Sequence, residues 1–160
     1  MLREADGQDR SAGRNRPVKP SRTGRSMSSG MSGEELRDFY RRYVDLANRR
    51  DFDRMDEFAH DEVIVNGHPV RRDDMVTEFR RHTAAVPDLS WKIEDLVVDG
   101  DRVAARLTDT GTPVREWNGL APTGATVSIA ETAFYRVEDG RFKVMWYLMD
   151  ADGLRRQLAG

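Results

Sequence analysis

The stretch TVSIAETAFYRVEDGRFKVMWYLM, residues 126–149, decides the fold. Two runs rich in β-branched and aromatic residues flank Asp139-Gly140, a dipeptide suited to a tight hairpin turn. Their period of two predicts strands over 126–137 and 142–149. Alternation then places Val127, Ile129, Glu131, Ala133 and Tyr135 on one face. Four of these five are apolar or aromatic, and a carboxylate among them must be paired, hydrated or protonated. In the second run Lys143, Met145, Tyr147 and Met149 share one face, and Phe142, Val144, Trp146 and Leu148 the other. Alternation alone selects the second set as the core face, because Lys143 interrupts the first. Lys143 follows the turn, however, where a strand end reaches water, and both faces are otherwise apolar. This strand is therefore expected to be covered on both sides.

Two further strands precede these, over 91–98 and 102–110, joined at Asp99-Gly100. Upstream the period is helical. Ser32-Gly33-Glu34-Glu35 has capping-box spacing, and Leu36, Phe39, Tyr40, Tyr43, Val44 and Ala47 recur on one helix face. A turn at Asn48–Asp51, with Asp51 as N-cap, leads to a short helix carrying Phe52, Met55, Phe58 and Ala59. Residues 62–65 read as a strand, broken at Asn66-Gly67-His68-Pro69. A third helix starts near Asp73, with Met75, Val76 and Phe79 inward, and ends before Pro87. A short helix near 152–158 closes the chain. Helices first and strands later give an α+β domain, with the helices covering one face of an antiparallel sheet.

Composition divides the chain near residue 30. Residues 1–30 hold seven Lys/Arg and three Asp/Glu, with Leu2 and Val18 the only aliphatic side chains larger than Ala before Met27. Such a segment cannot bury enough apolar surface to offset ordering, so a disordered basic tail is expected over 1–30, followed by one domain over 31–160. Translation is expected to start at Met27 or Met31, which N-terminal sequencing checks. The whole chain has 26 basic and 28 acidic residues. Without the tail 19 and 25 remain, near −6, which gives no electrostatic footprint for nucleic acid. With no Cys, disulfide and thiolate chemistry are excluded, and a reducing cytoplasm is the simplest location. No apolar run approaches the roughly 18 residues needed to cross a membrane.

Four stretches resemble the SnoaL-like polyketide cyclase and ester cyclase family of the nuclear-transport-factor-like superfamily. They are Phe39-Tyr40 through Asn48-Arg49-Arg50-Asp51-Phe52-Asp53; Val86-Pro87-Asp88-Leu89 leading into Ile93-Glu94-Asp95-Leu96; the loop Trp117-Asn118-Gly119-Leu120-Ala121-Pro122-Thr123-Gly124; and Phe134 to Phe142, continuing through Trp146 to Leu158. The resemblance implies a cone: a curved antiparallel sheet wrapped round N-terminal helices, with a ligand cavity at its open end. It also implies cofactor-independent chemistry on a carbonyl-rich, polyketide-like substrate, and a homodimer through the outer sheet face, to which Trp91 and Phe134 would contribute. In the family's anthracycline cyclases a strand Asp is the acid/base. Here that position is Tyr147, whose phenol is neutral near pH 7, so the carboxylate mechanism does not transfer to it. Glu131 matches a polar pocket position, a Gln, in those cyclases.

Two main readings of Glu131 stay open, beside a third in which it faces water or another subunit. In one it is the general acid/base, raised in pKa by apolar surroundings, with Tyr147, which only the resemblance places in the pocket, donating to a carbonyl that becomes an enolate. In the other it is salt-bridged to Arg106 or Arg115 and Tyr147 is core. Asp109, near a strand end, supplies a second carboxylate for hydration or epoxide opening if it is not exposed. Trp117 is a candidate lid or stacking surface. Asn66 and His68 fall near the mouth of the implied cone. Tyr40, on the core stripe, and Tyr135, on the Glu131 face, complete the candidate substrate-binding set. Asp150 is expected to cap the last helix, and His60 and His82 to be surface or helix-end groups. No His spacing suggests a metal site, and no cofactor is expected. A non-catalytic small-molecule-binding or accessory protein of a biosynthetic pathway is the competing function.

Overall fold

The computed structural model describes residues 30–159, so the expectation of a disordered tail falls outside the described residues except for Gly30. Helix α1 (Gly33–Arg49) opens with the expected capping box: Ser32 Oγ accepts from the Glu35 N–H at 3.2 Å, and Glu35 Oε2 accepts from the Ser32 N–H at 2.7 Å. It buries the stripe from Leu36 to Ala47 and stops at Arg50, whose φ of 65° breaks the helical backbone. Phe52–Glu57 forms a 3-10 turn rather than a full helix, and Asp51 makes no side-chain cap. Strand β1 (Ala59–Val65) follows.

Asn66-Gly67 does not end the strand region. Both residues have positive φ, and they turn the chain back into a second short strand, β2 (His68–Arg71), paired antiparallel with β1. Helix α2 (Arg72–Ala85) then packs against the 3-10 turn and β1. Strands β3 (Ser90–Asp99), β4 (Arg102–Gly111), β5 (Val127–Glu138) and β6 (Arg141–Met149) form a meander, and α3 (Ala151–Leu158) closes it. The sheet order is β2-β1-β6-β5-β4-β3. All pairings are antiparallel except β1 with β6, which run parallel. The result is a curved, unclosed six-stranded sheet wrapped round the helices.

A β-bulge decides which face of β6 is inside. The β5–β6 register shifts between Arg136 and Val137, where Val137 faces Phe142 and Arg136 faces Val144. The extra residue reverses the alternation. Phe142 and Met145 are therefore both buried, and beyond the bulge Tyr147 and Met149 line the interior. Trp146 and Leu148 face outward and are exposed. The core face chosen by alternation is thus correct at Phe142 and wrong at Trp146 and Leu148, and the strand is not covered on both sides.

The core is aromatic at its centre. Phe39, Tyr40 and Tyr43 of α1 meet Tyr135 and Phe142 of the sheet, with ring centroids 4.7–6.5 Å apart. Asn48 ties α1 to β3 through two bonds: its Nδ2 donates to the Trp91 carbonyl at 2.9 Å and its Oδ1 accepts from the Trp91 N–H at 2.8 Å. Such paired amide bonds fix register where apolar packing alone would allow sliding.

Candidate functional site

Between the helices and the concave face of the sheet lies a cavity of about 180 Å³, walled by α1, α2, β1–β6 and the loop 112–126. Most of its wall is apolar, from Val44, Met75, Phe79, Leu107, Met145 and Met149. Of the eight residues singled out from sequence, Tyr40, Asp109, Trp117, Glu131, Tyr135 and Tyr147 all line it.

Glu131 and Asp109 form its charged centre. On the β4–β5 ladder Leu107 faces Glu131 and Asp109 faces Ile129, so the two carboxyls are diagonal neighbours on the inner face. Asp109 is 1% exposed. The exposed position allowed for it at the strand end is corrected by the loop that folds over that end. Neither of its oxygens has a donor among the described residues, which disfavours the charged form of Asp109. Burial first, then the charge and hydrogen bonding of Glu131, push Asp109 up to about 9. Burial also raises Glu131, opposed by the hydrogen bond it receives from Asp109. Both carboxyls are thus held above the usual carboxylate range, Asp109 the more strongly, and they titrate as a coupled pair.

Among the described residues no arginine forms a salt bridge with this pair. Arg106 points out of the sheet and binds Asp95 at 2.7 Å, and Arg115 is exposed in the loop. Among the described residues Glu131 forms no salt bridge with either, which corrects the structural reading of this residue.

Tyr147 stands at the open side, 41% exposed, with its phenol raised by burial and by the charges of Glu131 and Glu78. The Tyr40 hydroxyl is fully buried and without a partner among the described residues. Burial raises the phenols of Tyr40, Tyr43 and Tyr135, so all three are neutral donors.

Asn66 and His68 are not part of the wall, and both are exposed. Asn66 sits in the β1–β2 turn, where its Oδ1 accepts from the Tyr147 N–H at 2.9 Å and its own N–H donates to the Met145 carbonyl at 2.9 Å. It positions β6 rather than facing the cavity. His68 lies on β2, pointing to solvent. Neither residue therefore joins the cavity-lining set to which the sequence reading assigned it.

Trp117 is buried and lines the cavity. His82, read from sequence as a surface or helix-end group, also lines it and receives the Trp117 indole N–H. The missed signal was spacing, since His82 follows Met75 and Phe79 on one stripe of α2. Asp150 caps α3 as expected, its Oδ1 accepting from the Gly153 N–H at 2.8 Å. Among the described residues no group of three or more His, Asp or Glu is placed to hold a metal, and no helix is long and apolar enough to cross a membrane.

A sequence model of the SnoaL-like polyketide cyclase family matches residues 37–158. Among solved structures, the chain is similar to a SnoaL-like polyketide cyclase from Agrobacterium tumefaciens, with 33% identity over 80% of this chain and 99% of that one and a TM-score of 0.74. It is also similar to TsrD from Streptomyces laurentii, with 31% identity over 80% and 97% and a TM-score of 0.73. AclR from Streptomyces galilaeus follows at 28% identity over 80% and 98%, with a TM-score of 0.70. No curated protein matches the chain.

Proposed function

The chain belongs to the SnoaL-like polyketide cyclase family, and from that premise we propose that it is a cofactor-independent cyclase or isomerase that moves a proton beside a carbonyl of a polyketide-like substrate, with Glu131 as the base. The observation that carries this reading is the pair of buried carboxyls, Asp109 and Glu131, side by side in a mostly apolar cavity, with no salt bridge to either among the described residues. A carboxylate raised in this way is a stronger base than an ordinary one and is already out of bulk water.

The reaction follows from the donors around the pair. Glu131 removes a proton from the carbon next to a carbonyl, and the C–H electron pair moves onto the carbonyl oxygen. The Tyr147 hydroxyl donates a hydrogen bond to that developing enolate oxygen. The enolate carbon then attacks a second carbonyl of the same chain, or is reprotonated at another position. The proton held by Glu131 returns to the new alkoxide or carbon. Asp109 keeps its own proton and holds Glu131 through it, a positioning role. The Tyr40 hydroxyl and Trp117 bind the substrate, and Tyr135 shapes the floor. Relative to the family's anthracycline cyclases, the acid/base function moves from the β6 position held by Tyr147 to Glu131 on the adjacent strand β5.

Exchange of the α-protons of 2-tetralone with D2O tests this without knowledge of the native substrate. Catalysed exchange in the native protein, reduced about 100-fold or more in Glu131→Gln and Tyr147→Phe with the fold intact, is the expected result. Unchanged rates in both variants refute it.

The same pair supports a second reading, hydration or epoxide opening, because Asp109 is buried beside Glu131. Incorporation of oxygen from labelled water into product separates that reaction from ring closure. The outer sheet face supports a homodimer: Trp146, Phe134, Ala104 and Val97 form one register row across β6, β5, β4 and β3, and Phe134 and Val97 are each more than 60% exposed. Trp91 does not join this row, since it lines the cavity. The cysteine-free sequence supports a cytoplasmic location.

A further inference from the structure

Helix α2 carries His82 to the loop 112–126, where Trp117 meets it. The Trp117 Nε1–H donates to His82 Nδ1 at 2.9 Å, and the two rings lie edge to face, 85° apart. An indole nitrogen can only donate, so Nδ1 must present its lone pair. A neutral imidazole has one ring proton, which this contact assigns to Nε2. Burial, and the nearby Arg81 charge, favour the neutral ring, with Glu78 opposing them.

Trp117 is itself firmly held. It exchanges two backbone hydrogen bonds with Leu120, both at 3.0 Å, around Asn118-Gly119. Both turn residues have positive φ, as a two-residue hairpin requires. The loop is tied again where the Val114 N–H meets the Ala85 carbonyl at 2.9 Å and the Thr112 N–H meets Asp88 Oδ1 at 2.6 Å. The imidazole thus takes its orientation from a fixed wall. The acceptor nearest along the helix, Glu78, is engaged by Arg81 at 2.6 Å. No acceptor among the described residues takes the His82 Nε2–H.

We propose that His82 is a ligand-binding residue: held by Trp117 with its proton on Nε2, it donates a hydrogen bond to an oxygen of the bound molecule on the loop side of the cavity. The inference rests on the reading of this cavity as a ligand site, and not on proton abstraction by Glu131. It deepens the substrate class. The fitting molecule carries an oxygen acceptor facing His82 in addition to the one facing Tyr147, and an N–H donor at the first position is rejected.

Two isosteric variants separate the roles of the ring. In His82→Asn the amide oxygen reaches the place of Nδ1 and still receives the Trp117 indole, but no donor remains at the place of Nε2. In His82→Gln the amide reaches the place of Nε2 and keeps the donor. The probes are 2-acetylnaphthalene and 2-isopropylnaphthalene, of similar shape, the second lacking the oxygen. Affinities are measured in a Tyr40→Phe, Tyr147→Phe background, so that neither hydroxyl masks the effect. The ketone is expected to bind about fivefold tighter than the hydrocarbon, a preference lost in His82→Asn and kept in His82→Gln.

Long-range ¹H–¹⁵N spectra of the full chain read the ring directly. They are expected to show the Nε2–H form in the native protein and a mixture of both forms in Trp117→Phe. A proton on Nδ1 in the native protein overturns the proposal. So does an equal preference in His82→Asn, or no preference for the ketone before His82 is changed. Absence of tetralone exchange in the native protein, or exchange unchanged in Glu131→Gln and Tyr147→Phe, with this preference intact, would sink the proton-abstraction reading alone.

Discussion

Asn66 holds Tyr147 by its backbone: the turn between β1 and β2 sends its side-chain oxygen to the Tyr147 N–H at 2.9 Å, fixing the end of β6 beside the cavity. Tyr147 thereby enters the same wall as Glu131 and Asp109. In the proposed reaction this phenol and the carboxyl pair act together, and the rate depends on how the pair is protonated.

The pH dependence of exchange follows from the pair. In the proposed reaction the active form is the one with Glu131 ionised and Asp109 protonated. The rate should rise through the value of Glu131, which burial lifts above the usual carboxylate range, and fall with a midpoint near the value of about 9 at which Asp109 loses its proton. Asp109→Asn still donates to Glu131 but does not titrate. Its profile should keep the acid limb and lose the alkaline one. An alkaline limb that persists in Asp109→Asn contradicts this assignment.

Stability carries the same signature with a definite sign. The folded value of Asp109, about 9, lies above its ordinary value of 3.8, so across that window the native state binds more protons than the unfolded chain. Stability then falls as pH rises from about 4 to about 9, and Glu131 acts in the same direction. Urea unfolding at several pH values should give a shallower slope for Asp109→Asn than for the native protein, with the variant's advantage growing toward pH 9. Parallel curves would mean that Asp109 is not protonated in the fold.

Tyr40 offers a test of the cavity floor. Its hydroxyl is buried with no partner among the described residues, and such a group costs about 1–3 kcal/mol. Tyr40→Phe should therefore stabilise the ligand-free protein, by about 1 kcal/mol in urea unfolding, and weaken binding of 2-acetylnaphthalene. A clear loss of stability would show that the hydroxyl already has a partner.

The outer face makes a separate prediction. Leu148 is 74% exposed beside the apolar row of Phe134 and Trp146. If this face joins two copies, Phe134→Glu with Leu148→Glu should convert a dimer to a folded monomer in analytical ultracentrifugation. A native protein that is monomeric at high micromolar concentration excludes the homodimer.

Local chemistry was readable where local rules govern. The capping box at Ser32, the stripe from Leu36 to Ala47 and the turn at Asp139-Gly140 each depend on neighbours within four residues. So does the alternation that placed Glu131 among apolar side chains. What failed depended on distant packing. Nothing near Phe142 marks the bulge that turns Trp146 and Leu148 outward. Strand β2 is four residues long and contains Pro69, so it carries no strand pattern, and the parallel β1–β6 pairing joins segments about 80 residues apart. Asp109 looked like an exposed strand end because its cover comes from elsewhere. Two residues on, Gly111 abuts the corner at Val86 and Leu89, where an added Cβ would run into the Val86 side chain and come within 3.1 Å of the Leu89 Cα. His82 was hidden by charged neighbours in sequence, although it continues the Met75–Phe79 stripe.

The most direct test is ¹³C NMR of the side-chain carboxyl of Asp109 across a pH titration, with Glu131 followed in the same spectra. The account predicts a neutral Asp109 carboxyl at pH 7, ionising near pH 9, and a Glu131 signal that responds in both titration steps. An Asp109 carboxyl already ionised at pH 7, with Glu131 indifferent to it, would contradict the shared proton and the chemistry built on it.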